Sequence, residues 1–303
     1  MKILITGSSG TIGTRLFEKL LEEGYNVIGF DKKQNKWHNH LNDLTIVGNL
    51  LSDKGVKKIP KDVDMVIHLA ANARVYDLIK SPKLALENEV STYNILEFAR
   101  KNKIKKIIFS SSREVYGNRK KSIAHEKDFN LELSESPYSA SKISNEAFVY
   151  AYKKCYGIDY IVLRFSNVYG MYDESDRFIP LMIKKMKNNE DISIFGKNKV
   201  LDFTYIDDCV NGIFLCIKKF QKEKNNIFNI AFGRGIKLID VAKMIKKDLK
   251  SKSKITLKPN RTGEVVEYVA DISKAEKILD YSPKTNIKSG LKLSVDWYNA
   301  QKI

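Results

Sequence analysis

Short apolar runs alternate with longer amphipathic stretches through the first half of the chain. The runs at 2–6, 26–30, 44–47, 65–69, 106–110 and 160–164 have the length of buried strands. The stretches at 11–23, 83–102 and 138–156 carry apolar residues at helical spacing instead. In the last of these, Ile143, Ala147, Tyr150, Ala151 and Lys154 set an apolar stripe beside a polar face. This alternation predicts βαβ units and a parallel sheet. Residues 118–136 are polar, charged and without a period, which predicts a loop bordering a site.

Beyond residue 164 the pattern loosens. Helices are predicted over 178–187, 207–219, 238–249, 273–279 and 288–297, the second capped by its acidic residues. Strands are predicted over 192–195, 203–205 and 227–230. The fold class that follows is α/β. It comprises an N-terminal, doubly wound parallel sheet of Rossmann type and a smaller C-terminal α/β substrate lobe. Residues 1–165, with 203–230, make the larger domain; 166–202 and 231–303 make the lobe, and the cleft between them is the expected ligand site.

Composition narrows the class of function. No apolar run reaches the ~20 residues of a membrane span. The chain opens directly on a strand without a signal-peptide pattern. Cys155, Cys209 and Cys216 have no metal-ligand spacing, and an odd count does not make a disulfide framework. These features point to a cytoplasmic protein without a metal. The 53 Lys and Arg against 36 Asp and Glu give a net charge of +17, which raises the question of nucleic acid. The basic residues are mostly lysines in scattered pairs, with no arginine arm or aromatic-interleaved stripe, so a solvated surface is expected rather than a nucleic-acid face. The positive field would steer a diphosphate ligand.

The strongest local motif is Gly7-Ser8-Ser9-Gly10-Thr11-Ile12-Gly13, between a predicted strand and a predicted helix. Glycines there allow a tight turn, close approach of backbone to a pyrophosphate and close helix–strand packing. The helix start then offers free N–H groups to phosphate. Asp31 ends the second strand, where its carboxylate can accept from ribose hydroxyls; its charge would repel a 2′-phosphate, which favours NAD over NADP. Farther on, Tyr138 and Lys142 stand one helical turn apart after Ser136-Pro137. A nearby ammonium favours a phenolate, so the pair is expected to bring Tyr138 toward general-base range. Ser110-Ser111-Ser112 closes a strand at its carboxyl end, where ligands gather in open α/β sheets, and a serine there can orient a substrate beside the tyrosine.

Taken in order, these motifs continue with His68-Leu69-Ala70-Ala71, Asn88-x-Val90-x-Thr92-x-Asn94, Leu163-Arg164-Phe165-Ser166-Asn167-Val168-Tyr169-Gly170, Asp202-Phe203-Thr204-Tyr205 and Arg261-Thr262-Gly263-Glu264. The chain resembles the extended short-chain dehydrogenase/reductases, the NAD-dependent nucleotide-sugar epimerases, dehydratases, decarboxylases and reductases. The resemblance is to the UDP-glucose 4-epimerase-like members and spans nearly the whole chain. It implies NAD held by Gly7, Ser9, Gly10, Thr11, Ile12, Gly13 and Asp31, with Asn49, Leu50, Leu69, Ala70, Ala71, Asn88 and Ser110 along the rest of the cofactor. Tyr138 would be the catalytic acid–base, Lys142 would bind the nicotinamide ribose and tune it, and Ser112 would orient the sugar. Asn167, Phe195 and Arg261 would hold the nucleoside diphosphate of a UDP-linked sugar, and Glu264 the nucleoside ribose. A homodimer through a helix pair containing 138–156 is also implied.

Three departures from that family pattern bear on the reaction. Asn49 follows Gly48 where an aspartate is frequent; its amide can still bond adenine. Leu201 replaces an arginine before Asp202-Phe203, leaving Lys197 or Lys199 to supply the charge. Arg113-Glu114 follows Ser112 in place of a small or neutral pair. The 4,6-dehydratases use two acids at those positions, so Arg113 argues against dehydration. Uronate decarboxylases carry a glutamate where Glu114 stands, which makes Glu114 a further catalytic candidate. Arg113 could pair with a uronate carboxylate or with Glu114. The first reading is a 4-epimerase working through a transient 4-keto sugar; decarboxylation of a nucleotide uronate is the alternative. An NAD-binding sensor or scaffold is the non-enzymatic one.

Overall fold

The protein is described here from a computed structural model covering residues 1–119 and 123–301. Seven parallel strands form the main sheet: β1 (Lys2–Thr6), β2 (Asn26–Asp31), β3 (Thr45–Val47), β4 (Met65–His68), β5 (Lys106–Ser112), β6 (Asp159–Phe165) and β7 (Asn226–Ile230). Their spatial order is β3-β2-β1-β4-β5-β6-β7, every neighbouring pair parallel. Helices cover both faces, which is why the strands read as continuous apolar runs. Within β1, Ile3 and Ile5 point into the cluster with Leu16, Phe17 and Leu20 of helix α1 (Thr11–Glu22). Leu4 points the other way, into the cluster with Ile95 and Phe98 of α2 (Lys83–Lys101) and Val149 and Tyr152 of α3 (Pro137–Tyr156). The strand order turns back between β1 and β4, and open parallel sheets leave a crevice at such a point, outside the strands' carboxyl ends.

The smaller lobe rests on a five-stranded sheet. Val200–Tyr205 lies between Gly235–Lys237, antiparallel, and Glu267–Ala270, parallel; Asn167–Tyr169 and Ile123–Ala124 complete it. Ile192–Phe195 pairs with Ile255–Lys258 in a separate two-stranded sheet. The fully buried Asp202 carboxylate ties this lobe together by accepting from the backbone N–H of Phe232, Gly233 and Ala270 at 3.2, 2.9 and 3.2 Å. Burial raises its pKa to about 6 against the pull of those donors.

The differences from the sequence reading have local causes. Residues 203–205 belong to the lobe's sheet, so the chain rejoins the larger body only with helix Ile206–Lys218. That helix has no side-chain cap; Asp208 instead accepts from the N–H groups of Lys284 and Thr285, and Asp207 pairs with Arg15. The stretch expected as a loop over 118–136 contributes strand Ile123–Ala124 and a 3₁₀ turn at Leu131–Leu133. Its residues 120–122 lie outside the described residues. Short strands such as Gly235–Lys237 and Glu267–Ala270 carry too few residues to show a period. Among the described residues, no helix is long and apolar enough to cross a membrane.

Candidate active site

The glycine turn is shaped by close backbone approach. Gly7 has φ +72°, and a Cβ there would meet the Ala70 backbone N at 2.8 Å; one on Gly13 would sit 2.0 Å from the Gly7 carbonyl oxygen. Helix α1 starts after Gly10, with no side chain capping its first turn and no acid within it. Its free N–H groups therefore face the crevice, ready for an anion. The Asp31 carboxylate accepts from the backbone N–H of Ser9 and of Lys33, each at 3.0 Å. It is thereby anchored at the carboxyl end of β2, with lone pairs left for a diol. A cradle that only glycine fits, an uncapped helix start and a fixed carboxylate suit the phosphates and ribose of NAD.

Next to this crevice lie the reacting groups. α3 begins with a capping box in which Ser136 and Ser139 satisfy each other's backbone, and Pro137 takes the first helical position. Tyr138 and Lys142 follow on one face, both buried. The Lys142 ammonium donates to the Ser110 carbonyl at 2.8 Å and lies 5.9 Å from the Tyr138 ring centre. Burial lowers its pKa to about 8.

Other groups of the cleft act on the tyrosine as well. Burial raises the Tyr138 phenol; the opposing influences are a hydrogen bond from Ser112 and the charges of Arg177 and Arg113. Lys142 is held on the Ser110 carbonyl, one turn along α3 from the phenol. Ser112 also accepts from the Glu114 N–H at 3.2 Å, so one hydroxyl joins Tyr138 to the turn that follows β5.

That turn, Arg113–Tyr116, carries a buried ion pair, Arg113 Nη2 to Glu114 Oε1 at 2.8 Å. Arg113 Nε also donates to Asn167 Oδ1 at 3.2 Å. Burial raises the Glu114 carboxyl, against the charges of Arg113 and Lys199. From the lobe come Lys199, which donates to Glu264 Oε2 at 2.6 Å, and Arg261, whose guanidinium lies 3.8 Å from the Phe195 ring centre and 4.7 Å from that of Tyr76.

One continuous cleft of about 740 Å³ runs from the glycine turn to these groups. Gly7, Gly10, Thr11, Ile12, Gly13, Leu69, Ala71, Ser110, Ser112, Arg113, Glu114, Tyr138, Lys142, Asn167, Phe195, Arg261 and Glu264 all line it. Ser9, Asp31, Asn49, Leu50, Ala70 and Asn88, also expected at the site, are not part of its lining. Asn88 is buried, its amide accepting from the Asn72 N–H at 2.7 Å and donating to the Asn72 carbonyl at 3.0 Å, so it shapes the wall rather than lining it. Ala70 sits against Gly7. Leu50 is buried, while Asn49 is exposed just past β3 with its side chain accepting from Leu51 N–H. Glu264, expected at a ribose, is bonded to Lys199. Of the two lysines offered in place of the missing arginine, Lys199 lines the cleft and is buried, and Lys197 is exposed.

Sequence reasoning missed Arg74, Tyr76 and Arg177, which also line the cleft. Arg177 donates to the Ala73 carbonyl at 3.3 Å and Arg74 to Asp176 at 3.3 Å, so the segment before helix Phe178–Lys187 latches onto the N-terminal body. No spacing in the chain marks these residues, because their proximity comes from the packing of the lobe against the sheet.

Comparison with known proteins agrees with this geometry. A model of the NAD dependent epimerase/dehydratase family matches residues 3–231. A putative UDP-glucose 4-epimerase of Methanocaldococcus jannaschii is 34% identical, the match covering 97% of this chain and 97% of that protein. The crystal structure of a UDP-glucose 4-epimerase from Thermotoga maritima with UDP-glucose superposes with a TM-score of 0.91 at 31% identity, covering 99% of both chains. A UDP-glucuronic acid 4-epimerase from Bacillus cereus, in complex with UDP-glucuronic acid and NAD, gives a TM-score of 0.91 at 29% identity, also over 99% of both.

Proposed function

The chain belongs to the NAD dependent epimerase/dehydratase family, and from that premise we propose that it is a nucleotide-sugar 4-epimerase acting on a UDP-linked sugar with NAD. The carrying observation is a single cleft lined by the glycine cradle, by Tyr138 with Ser112, and by the cations Lys199 and Arg261. Gly7, Gly10, Gly13 and the start of α1 would hold the pyrophosphate, Asp31 the adenosine ribose and Lys142 the nicotinamide ribose. Bound there, NAD supplies a reversible hydride acceptor, so oxidation at C4 and its reversal need no outside reductant.

The chain's own groups move the proton. Tyr138 takes it from the sugar 4-hydroxyl and later returns it, while Ser112 holds that hydroxyl against the phenol. The raised pKa of Tyr138 makes it a strong base once ionised, and the hydrogen bond from Ser112 with the charges of Arg177 and Arg113 limits the cost of ionisation. Arg261, with a planar fork suited to phosphate oxygens, and Lys199 would fix the diphosphate. Anchored at that end, the sugar is free to present either ring face to the cofactor.

Incubating NAD-loaded protein with UDP-glucose, UDP-N-acetylglucosamine and UDP-glucuronate tests this. Conversion of at least one into its 4-epimer is the expected result, and no interconversion of any overturns it. Carbon dioxide release from UDP-glucuronate would instead assign Glu114 a decarboxylase role.

The helical face supports a homodimer. α2 exposes Leu86, Val90 and Tyr93 along one stripe, and α3 exposes Phe148. Sedimentation should show a dimer that Val90→Glu converts to monomer; a monomeric parent protein would contradict the assignment.

A further inference from the structure

Arg113 and Glu114 are 9% and 4% exposed, and both line the cleft directly after Ser112. Their mutual ion pair uses Arg113 Nη2 and Glu114 Oε1, and Asn167 takes Arg113 Nε. The guanidinium packs 5.6 Å from the Tyr268 ring centre. Two buried polar atoms of the pair have no partner among the described residues: Arg113 Nη1, a donor, and Glu114 Oε2, an acceptor. Buried groups of this kind are nearly always satisfied, so an unpaired donor and an unpaired acceptor on one ion pair indicate a ligand that supplies both.

The chemistry of that ligand follows from the pair's charge. Arg113 and Glu114 together are neutral, and each side chain already holds the other. A hydroxyl can accept from Nη1 and donate to Oε2, satisfying both atoms without adding charge. A carboxylate can accept from Nη1 but offers nothing to Oε2, and it sets a second negative charge beside a buried one. Rotating Arg113 toward an incoming carboxylate would leave Glu114 buried and unpaired, which is the costlier arrangement.

We propose that the Arg113–Glu114 pair is a specificity determinant that accepts a neutral, hydroxyl-bearing hexose beside Ser112 and rejects the corresponding uronate. This rests on the nucleotide-sugar reading of the cleft and names the substrate class within it. Asn167 acts as a positioning residue that holds the guanidinium by its Nε and leaves Nη1 unspent.

The test is direct binding of UDP-glucose and UDP-glucuronate to the NAD-loaded full chain, followed calorimetrically alongside turnover. The wild type should bind UDP-glucose more tightly by about tenfold or more. Glu114→Gln keeps the shape and removes the negative charge, leaving Arg113 as an unpaired cation; the affinity ratio should swing toward UDP-glucuronate by about tenfold or more. Arg113→Gln/Glu114→Gln removes both charges without stranding either and should bring the ratio near parity, which serves if the single variant does not fold. A wild type that binds the uronate at least as tightly overturns the proposal, as does a ratio unchanged in the variants that fold. Binding without interconversion of either sugar would sink the epimerase reading and leave this one to be decided by the ratio. Binding of neither would sink both.

Discussion

The two ends of the cleft are built by different means. At the cofactor end the contacts are mainly backbone: a turn whose glycines admit no Cβ, an uncapped helix start, and one carboxylate pinned by two N–H groups. At the other end the contacts are side chains brought from β5, α3 and several parts of the lobe, and most hold one another. A backbone-built site tolerates few substitutions but binds one ligand class. A site of mutually paired side chains can be re-specified by changing a single partner.

Breaking the sugar end at its reacting group should have the largest effect. Tyr138→Phe removes the phenol and should lower kcat by about 10³-fold, within the usual range for loss of a general acid–base. NAD content, read from absorbance after denaturation, should be unchanged. Loss of NAD together with activity would mean that the two ends are not separable. The converse lesion is Gly13→Ala, whose added Cβ would meet the Gly7 carbonyl oxygen at 2.0 Å. Relieving that clash requires the turn to move, at a cost of about 1–3 kcal/mol, and should empty the enzyme of NAD. Thermal unfolding and NAD titration check this, and wild-type NAD affinity would refute it.

Smaller effects sharpen the contrast. Arg261→Ala removes the proposed phosphate donor and should raise KM by about tenfold or more with kcat little changed, since such a contact would be the same in ground and transition states. A comparable fall in kcat would place Arg261 nearer the chemistry than the structure does. The subtlest effect is in the pH profile. Lys142, with a pKa of about 8, loses its proton as pH rises, while the raised Tyr138 gains phenolate over the same range. Activity should therefore climb with pH up to about 8 and then level. In Lys142→Arg, whose charge does not titrate, residual activity should keep climbing past 8. A break at the same pH in both proteins would show that another group sets it.

The same contrast explains what could be read before any coordinates. The seven parallel strands except their exact ends, the glycine turn, Asp31 and the Tyr138–Lys142 spacing are local patterns whose period or turn chemistry is written in adjacent residues. The partners of those residues are not. Lys142 donates to the carbonyl of Ser110, thirty-two positions away, because β5 and α3 pack that way. Asn88 spends its amide on the Asn72 backbone, behind the cleft wall. Arg177 reaches Ala73 between the lobe and the larger body, a contact between residues more than a hundred positions apart with no periodic trace. The brief strands of the lobe are likewise fixed by pairing rather than by their own pattern.

The proposed reversible oxidation at C4 can be followed with UDP-glucose deuterated at C4. The NAD-loaded enzyme should yield UDP-galactose, with deuterium retained at C4 in both epimers and none released to water. Loss of the label to solvent, or recovery of UDP-glucose and its N-acetylated counterpart unepimerised, would contradict the account.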